Sequence, residues 1–553
     1  MGSGKSNLLS AFAGQEAARG ARVLLLDCRT VEPTIGGLLG AVGDLLDATP
    51  DEPGAAAAAI SNAGERVFLA FDNYQVFRLV DSWLRREFIP LLAENVRIVL
   101  ASREPPTAGW VSAANWRPLF ETVELESTPA VTAETLYQAI SEAPANPKLQ
   151  EALEAASVVR RMTRPMLSAL VPDADGPGLF DALARLPFVD RTRHGLALQD
   201  RVRRLLKERL QSEDPQRHRD CQRAAWTLLR EQLRDAPRAD LWRYTADVIY
   251  LIENPVIREA FFPSQSPGFS VEPAVEGDRE RLMEIARRHE PAPAVQALEL
   301  WWRHLPSAFH VVRDPEGTLA GFYCMAGPDE LDADWMQRDP VARAWQGHLP
   351  RRGDRGRCAL FLRRWLSLEE GEAPSAVQAA AWVDIKRTYL ELRPELRRVY
   401  LTLQDPGPYG SVASQLGFQV LDELAVPLES CIYRSAMLDF GPRSVDGWIC
   451  DLLAAELGVT EDRLLDSAAR ELVCDGRRIA LTPLEYGVAS LLESRAGQAV
   501  SREELLNEVW GRQADHSSNV VDAVVRGLRK KCGPCSDLFE TVRGVGYRLR
   551  VQG

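Results

Sequence analysis

Basic and amide side chains near the C-terminus have the types and the spacing needed to touch nucleic acid. The apolar residues of segment 521–528 recur at i, i+3, i+4 and i+7, which predicts the buried stripe of a helix. Half a turn away, the same helix presents Asn519, Arg526 and Lys530. Amide and guanidinium groups can pair with base edges, so this outward face suits the major groove of DNA.

Two further elements would position that helix. Ser501 and Glu504 are spaced as a reciprocal capping pair, which predicts that a preceding helix begins at Ser501. Residues 540–549 predict two short strands around a glycine turn, a hairpin with Arg543 at its tip and Arg548 on its flank. The predicted order is therefore helix, recognition helix and wing.

Three motifs in this order, at 481–486, 519–531 and 541–548, resemble the OmpR/PhoB-type winged-helix DNA-binding domain. In that family the recognition helix enters the major groove and the wing reaches the minor groove. A small sheet precedes the first helix, and residues 471–481 would supply its last strands. The resemblance implies promoter DNA as a partner. It also implies base contacts for Asn519 and Arg526, and phosphate or minor-groove contacts for Arg529, Lys530, Arg543 and Arg548.

One position departs from the family, and one alternative stays open. Family members often have arginine where this chain has Asn519; asparagine pairs with adenine whereas arginine prefers guanine, so the base preference is open. The alternative is a winged helix that serves only protein contacts. Charge favours DNA, because segment 477–553 holds 12 Arg and Lys against 9 Asp and Glu, whereas the whole chain has 66 against 78.

The other end of the chain carries a phosphate-binding pattern. The first residues match the last part of a P-loop, Gly2-Ser3-Gly4-Lys5-Ser6. Backbone amides of such a loop cradle phosphates, Lys5 would reach the β and γ phosphates, and Ser6 would bind Mg²⁺. The first glycine of the motif and the strand before it would lie upstream of residue 1.

The segment that follows supports this assignment. Apolar runs at 23–27, 67–72 and 96–101, separated by helical patterns, predict a parallel sheet with its ligand at the carboxyl edge. Asp72 ends its run as a Walker B acid does and would hold Mg²⁺, and Arg103 occupies a sensor position. Together these motifs resemble the STAND-type signalling ATPases, and the resemblance implies ATP with Mg²⁺ as the ligand.

Residues 155–203 resemble the small winged-helix domain that follows the ATPase core in STAND proteins. Asn73 departs from the active pattern, since hydrolysing members often have a second acid there, and no clear Gly-x-Pro motif precedes Ala155. Three interpretations stay open: a nucleotide-binding switch with slow or no hydrolysis, a competent ATPase, and a degenerate fold or misassigned start. Lys5 would then lie on a solvated loop.

The central part has the element order of another known fold. Strand, helix, hairpin, strand, helix, strand and short helix are predicted between residues 271 and 416, and Leu416-Gly417-Phe418 follows. This order resembles the GNAT acetyltransferase fold. In that family the loop after the fourth strand grips the pyrophosphate of acetyl-CoA, but here segment 367–374 carries three glutamates that would repel it. We expect a sensor or scaffold domain and no acetyl-CoA.

The composition limits the classes of protein to which this chain can belong. No apolar run approaches the roughly 20 residues that span a bilayer, so we expect a cytoplasmic protein without membrane contact. Nine cysteines show no framework and fit a reducing compartment. The spacing of Cys532 and Cys535 matches a thioredoxin motif, but it follows a helix, so a simple turn and a redox or metal switch both stay open.

The predicted fold class is multidomain α/β and α+β, comprising a partial P-loop sheet, a helical and winged-helix connector, a GNAT-like domain and a C-terminal winged helix. We expect a sequence-specific transcriptional regulator controlled by a nucleotide or ligand, with self-association and RNA polymerase as further candidate partners. The alternative is a DNA-tethered ATPase or acetyltransferase. The predicted segments are 1–125, 126–210, 211–265, 266–437, 438–470 (linker and helix) and 471–553.

Overall fold

A computed structural model gives the fold of the chain. It describes residues 5–111, 116–125, 147–172, 176–192, 194–261, 268–349, 359–441, 443–459, 465–466, 471–474, 477–495, 498–510 and 519–550. Within these residues, no helix is both long and apolar enough to cross a membrane.

The N-terminal module is built on three parallel strands in the order β1-β2-β3. The middle strand is apolar and buried until its last residue, as expected of a parallel strand covered on both faces. The first helix buries Leu9 against the sheet but leaves Leu8 and Phe12 exposed. The elements are α1 (Lys5–Ala18), β1 (Arg22–Asp27), α2 (Ile35–Leu46), α3 (Pro53–Ser61), β2 (Val67–Asp72) and β3 (Val96–Ala101).

A helical region follows, in which a hairpin packs with four helices and a three-helix connector continues the chain. Asp247 of the connector is 4% exposed and accepts hydrogen bonds from Arg160 (2.7 Å) and Arg161 (2.6 Å). These bonds tie the connector to the helical region before it. The elements are α4 (Pro147–Val158), α5 (Arg164–Leu170), α6 (Gly176–Leu183), β4 (Val189–Thr192), β5 (Gly195–Leu198), α7 (Asp200–Glu213), α8 (Pro215–Asp235), α9 (Leu241–Leu251) and α10 (Pro255–Phe261).

The central domain is a seven-stranded sheet in the order β11-β12-β10-β9-β8-β7-β6. Its neighbours are antiparallel except β9 and β10, which are joined by a crossover helix. The strands are β6 (Ser270–Pro273), β7 (Phe309–Arg313), β8 (Leu319–Ala326), β9 (Ala359–Ser367), β10 (Arg398–Leu403), β11 (Gln419–Leu428) and β12 (Cys431–Asp439). The first five of these strands are predicted by the sequence, and β11 and β12 are not.

Helices cover both faces of this sheet. The sequence predicts the helices at 279–289, 376–391 and 410–416, but not the two at 292–304 and 340–348. The last helix, at 444–456, docks on the connector, where the Trp226 indole donates to the Cys450 carbonyl at 3.2 Å. The helices are α11 (Arg279–His289), α12 (Ala292–His304), α13 (Pro340–His348), α14 (Ala376–Glu391), α15 (Gly410–Leu416) and α16 (Ser444–Glu456).

The C-terminal domain has two small sheets around three helices, as predicted. One sheet has the order β13-β14-β15 and the other β16-β18-β17. The second helix, α18, continues as a wider π-helical turn at Leu506–Trp510. The elements are β13 (Leu465–Asp466), β14 (Glu471–Cys474), β15 (Arg477–Ala480), α17 (Pro483–Ser494), β16 (Val500–Ser501), α18 (Arg502–Leu505), α19 (Asn519–Cys532), β17 (Phe539–Val542) and β18 (Gly546–Leu549).

A buried carboxylate joins the N-terminal module to the central sheet. Glu272 of β6 is 5% exposed and pairs with Arg85 (2.9 Å) and Arg86 of the module and with Arg313 (3.0 Å) of β7. Burial by itself would raise the pKa of Glu272, but the three guanidinium groups outweigh it, so the net pKa is lowered. The folded state therefore favours the ionised carboxylate.

We predict that Glu272→Gln destabilises the chain by about 3–5 kcal/mol at pH 7, because it leaves buried guanidinium charge without a counter-ion. Since the pKa of Glu272 is lowered on folding, its contribution is present above the unfolded-state pKa and is lost as the pH falls through the folded-state value. Urea unfolding from pH 7 down to pH 3 should show the difference from wild type shrinking below about pH 4.

The matched control is Glu369→Gln, since Glu369 pairs with Arg288 at 2.7 Å on the exposed surface. That change should cost less than about 1 kcal/mol. Equal effects of the two substitutions would contradict the assigned role of Glu272.

Candidate nucleic-acid interface and candidate nucleotide site

The recognition helix α19 has one buried and one exposed face. Val521, Val525 and Leu528 are buried in the domain core, as the apolar spacing predicted. Arg526 and Lys530, one turn apart, are exposed. The helix thus presents two cations on the side away from its core.

The wing is a two-stranded hairpin whose turn carries Arg543. The turn uses Gly544 at φ +75°, a conformation that favours glycine, and Arg543 is exposed. A Cβ atom on Gly546 would lie 2.0 Å from the Val500 carbonyl oxygen, so only glycine lets β18 pair closely with β16. The wing is held against the rest of the domain at this point.

Tyr547 fixes the wing to the recognition helix. Its hydroxyl donates to Asp522 Oδ1 at 2.5 Å, and Arg502 Nε donates to the same oxygen at 2.8 Å. The guanidinium carbons of Arg502 and Arg529 lie 4.9 and 5.7 Å from the centre of the Tyr547 ring. The hydrogen bond from Tyr547, followed by the Arg502 interaction, lowers the pKa of Asp522, so this carboxylate stays ionised. Sequence analysis missed this cluster.

A capping box ties the other end of the recognition helix to α17. The Thr482 hydroxyl accepts from the Glu485 amide (3.3 Å) and Glu485 accepts from the Thr482 amide (2.8 Å). Lys531 of α19 donates to Glu485 at 2.6 Å. Sequence analysis expected a reciprocal pair at Ser501 and Glu504 instead. There the Ser501 hydroxyl caps the Glu504 amide (3.0 Å), but the Glu504 carboxylate pairs with Arg495 at 3.2 Å, so only half of that pair forms.

The six predicted DNA-contacting residues fall into three groups. Arg526, Lys530 and Arg543 are exposed, with no ion pair in the described part of the chain. Arg529 donates to the Phe539 carbonyl and the Thr541 hydroxyl (both 2.8 Å), and Arg548 pairs with Glu540 across the wing at 2.6 Å. Asn519 begins the helix, and its side chain is outside the described structure. Direct DNA contact therefore remains a prediction for all six, with Arg529 already engaged in holding the wing.

The predicted nucleotide-binding residues line one large cavity of about 1770 Å³. Lys5 and Ser6 reach it from the first turn of α1, Asp72 from the end of β2 and Arg103 from just beyond β3. The carboxyl ends of parallel strands open on one edge of a sheet, which explains this convergence. Gly2, Ser3 and Gly4 lie outside the described residues.

Polar contacts at the strand ends show which groups are already used. Asp27 accepts from Arg29 Nη2 at 2.8 Å and from the Asn73 side chain at 3.1 Å. One carboxylate oxygen of Asp72 accepts from the backbone amide of Asn73 at 2.9 Å. Asn73 therefore bridges the ends of β1 and β2. An Asp72 oxygen, the Ser6 hydroxyl and the Lys5 ammonium form a set that suits a phosphate with its Mg²⁺.

Arg103 connects the two sides of the cavity. It forms an ion pair with Asp200, the first residue of α7, although both side chains are about half exposed. Its own backbone amide donates to Gln75 at 3.2 Å. The predicted sensor arginine therefore contacts the helical region that follows the sheet.

A gap opens in the central sheet between the parallel strands β9 and β10. The β9–β10 ladder ends at Leu362 and Leu401, although β9 continues to Ser367. Glu372 projects into this gap, accepts from the Gln404 amide (3.0 Å) and pairs with the buried Arg364. A second carboxylate, Glu290, pairs with Arg364 at 2.5 Å. The gap is therefore filled by anions of the chain itself.

A disulfide crosses the C-terminal domain. Cys474 of β14 and Cys535, between α19 and β17, are bonded with their Cα atoms 6.5 Å apart. Cys532 is buried and free, and burial raises its pKa. The expectation that the cysteines have no framework was wrong at this site, because the pair is 61 residues apart in sequence and only the fold brings it together.

The geometry defines the class of the C-terminal domain. The third helix of the domain carries exposed cations and leads into a hairpin wing. Residues 476–549 match the family described as "Transcriptional regulatory protein, C terminal". This part of the chain is an OmpR/PhoB-type winged-helix DNA-binding domain, so the prediction of that domain is confirmed.

Particular relatives match the same region. Response regulator ArlR of Staphylococcus aureus (strain Mu50 / ATCC 700699) is 40% identical over 88 residues, which is 16% of this chain and 40% of that protein. The chain thus spans less than half the length of the curated relatives it matches. The DNA-binding domain of Bacillus subtilis CssR is 37% identical, and the match covers 15% of this chain and 96% of that domain with a TM-score of 0.14.

A weaker likeness extends beyond this domain. The CoA-dependent acyl-homoserine lactone synthase MesI is 13% identical, with 35% of this chain and 97% of that chain covered and a TM-score of 0.20. A likeness this low assigns no activity. The P-loop, STAND and GNAT resemblances stay predictions.

We predict that reduction of the Cys474–Cys535 bond destabilises the C-terminal domain by up to about 4 kcal/mol, since the bond closes a loop of 61 residues in the unfolded chain. Hydrogen exchange of the full-length protein should show faster exchange in β14 and α17 after dithiothreitol. Cys474→Ser should show the same exchange with and without reductant. Cys431→Ser removes a free, partly exposed thiol and should keep the wild-type response. Unchanged exchange in the reduced wild type would contradict a stabilising role for the bond.

Proposed function

We propose that this chain is a sequence-specific transcriptional regulator that binds promoter DNA through its C-terminal winged helix and responds to a nucleotide in its N-terminal cavity. The observation that carries the DNA-binding part is the exposed cation pair Arg526 and Lys530 on a recognition helix whose opposite face is buried. The family match of residues 476–549 supports the same conclusion.

In the proposed interface, the role of each residue follows from the contacts that it already makes within the protein. Arg526 lies on the middle of the recognition helix and takes the base edge, whereas Lys530 near its end and Arg543 on the wing take phosphates. Arg529 ties the recognition helix to the wing through the Phe539 carbonyl, and Arg548 pairs with Glu540 across the two strands of the wing. In this proposal Asn519 reads an adjacent base, with adenine its best partner.

The nucleotide part rests on the convergence of Lys5, Ser6 and Asp72 on one cavity. ATP would be held with its phosphates at the start of α1 and its Mg²⁺ between Ser6 and Asp72. Asn73 stands where a second acid would orient water, which favours a binding switch over a fast ATPase. The proposed consequence of binding is a change in self-association that brings two winged helices onto repeated sites. RNA polymerase is a further proposed partner.

We predict that Arg526→Ala weakens binding to promoter fragments by about 1–3 kcal/mol and relaxes the sequence preference, because a bidentate base contact is lost. Lys530→Ala should weaken all sites alike and lower the salt slope by about one. Genome-wide mapping of bound DNA supplies the sites, and fluorescence anisotropy at several salt concentrations supplies the affinities.

The matched control for both variants is Arg478→Ala. Arg478 is an exposed arginine of the same domain, but it lies on β15 in the other sheet. Its loss should change affinity by less than a factor of two to three. If Arg526→Ala behaves like this control, Arg526 does not face the DNA.

We predict that Lys5→Ala abolishes or weakens ATP binding at least tenfold, because the cation that faces the phosphates is removed. Isothermal titration with ATP and MgCl₂ measures this on the full-length protein. Arg19→Ala removes an exposed cation from the end of the same helix, where it pairs with Glu16 at 2.8 Å, and should leave binding unchanged. Wild-type protein that binds no ATP would refute the nucleotide part and leave the DNA-binding part standing.

A further inference from the structure

Three of the nine cysteines lie in the core of the DNA-binding domain, beside the end of the recognition helix. Cys532 is the last residue of α19, and Cys535 lies in the turn Gly533–Leu538 that leads from α19 to the wing. Cys535 is bonded to Cys474 at the end of β14, whereas Cys532 is a free thiol. The second cysteine of the Cys-Gly-Pro-Cys pattern is therefore cross-linked to the sheet β13-β14-β15 and not to the first.

The other cysteines of the described chain are free thiols. Six are unbonded within the described residues, and five of these six are buried. One disulfide among six free thiols matches the cysteine usage of proteins from reducing compartments, where disulfides are as a rule transient or redox-sensing. This usage favours a reversible bond between Cys474 and Cys535 over a permanent structural one.

The bond lies beneath a short surface turn. Gly533, Pro534 and Asp537 of this turn are exposed, whereas Cys535 is 7% and Cys474 5% exposed. Short surface segments are the parts of a fold that open most readily. Local opening of this one turn brings the sulfur of Cys535 to solvent, so a dithiol can reach the bond while the domain core stays folded.

The bond also fixes the segment from which the wing starts. The first strand of the wing begins at Phe539, four residues after Cys535. Arg529 of α19 holds that strand through the Phe539 carbonyl and the Thr541 hydroxyl, both at 2.8 Å. These hydrogen bonds depend on where the turn places Phe539. Loss of the disulfide frees the turn at its middle, and the start of the wing then varies in position.

We propose that Cys474 and Cys535 form a redox modification site at which a dithiol controls DNA affinity through the wing. The oxidised form holds the turn against β14 and presents the wing ready for DNA. The reduced form has to order the wing when it binds. The proposal goes beyond nucleotide control and rests only on the DNA-binding part of the proposed function.

The exchange is balanced without a further co-reactant. A thiolate of the dithiol attacks the sulfur of Cys535, the bond between the two cysteine sulfurs breaks, and Cys474 leaves as a thiolate that takes up a proton. The second thiol of the reductant, once deprotonated, attacks the mixed disulfide and releases Cys535, which is protonated in turn. Two electrons pass from the dithiol to the protein, and the dithiol leaves as a disulfide. Oxidation reverses these steps, with a disulfide compound as the oxidant.

The test measures the affinity of the full-length protein for a promoter fragment by fluorescence anisotropy, first with the bond formed and then after dithiothreitol. Reduction should weaken binding about fivefold, the order expected when one interface segment must be ordered on binding. Removal of dithiothreitol and addition of oxidised glutathione should restore the affinity. Hydrogen exchange of α19 in both forms checks that the recognition helix stays folded.

Cysteine variants assign the effect to the bond. Cys474→Ser should bind like the reduced wild type, with or without dithiothreitol. Cys532→Ala removes the neighbouring free thiol and Cys431→Ser removes one in the central domain, and both should keep the wild-type response. A response that survives in Cys474→Ser, or is lost in Cys532→Ala, overturns the assignment to this pair.

Arginine variants assign the effect to the wing. Arg543→Ala should weaken the oxidised protein by a larger factor than the reduced protein, because the reduced wing is already less well placed. Arg526→Ala should weaken both forms by the same factor, since α19 is unchanged. Equal factors for Arg543→Ala in the two forms, or loss of α19 protection on reduction, overturn control through the wing.

The two forms of the wild type separate this inference from the proposed function. Equal affinity of the oxidised and the reduced protein overturns the redox site and leaves DNA binding standing. Oxidised protein that binds no promoter DNA refutes the proposed function and this inference with it.

Discussion

A charge removed from water must be paired, and that constraint holds the parts of this chain together. Glu272 gathers arginines from two domains, and Asp247 joins the helical region to its connector through two more. Arg393 meets acids from the N-terminal module and from α16. At each junction, removal of one partner would leave the others buried without a counter-charge, which is costly. The domains are thereby fixed in one arrangement by charge as much as by apolar packing.

One residue of the cavity wall, Arg393, contacts Asp446 of the helix that precedes the DNA-binding domain. The cavity is bounded by the N-terminal sheet, the helical region and the end of α14, so a ligand there would touch elements from three parts of the chain. The helix α16 lies against the connector and precedes the DNA-binding domain.

Local sequence predicted the elements that are decided locally. The strands β1, β2 and β3 are continuous apolar runs, and they were located within one residue. The winged helix followed from apolar spacing and from the glycine turn at Gly544. Features that depend on residues distant in sequence could not be predicted. They include the bond between Cys474 and Cys535 and the hydrogen bonds that join Arg529 to the wing. Arg363 and Arg364 are a further example, since two adjacent arginines would ordinarily be placed on the surface but are each 1% exposed within β9.

The loop carboxylate Glu372 competes with any diffusing anion for the Gln404 amide in the gap of the central sheet. Glu372 is part of the same chain as the Gln404 amide that it accepts a hydrogen bond from. Its effective concentration at that amide is therefore constant, and for a short tether it is in the millimolar range or above. A diffusing anion that used the same amide would have to exceed this internal competitor before it occupied half of the molecules. The domain thus carries a permanent internal competitor for any anion that would bind at the Gln404 amide.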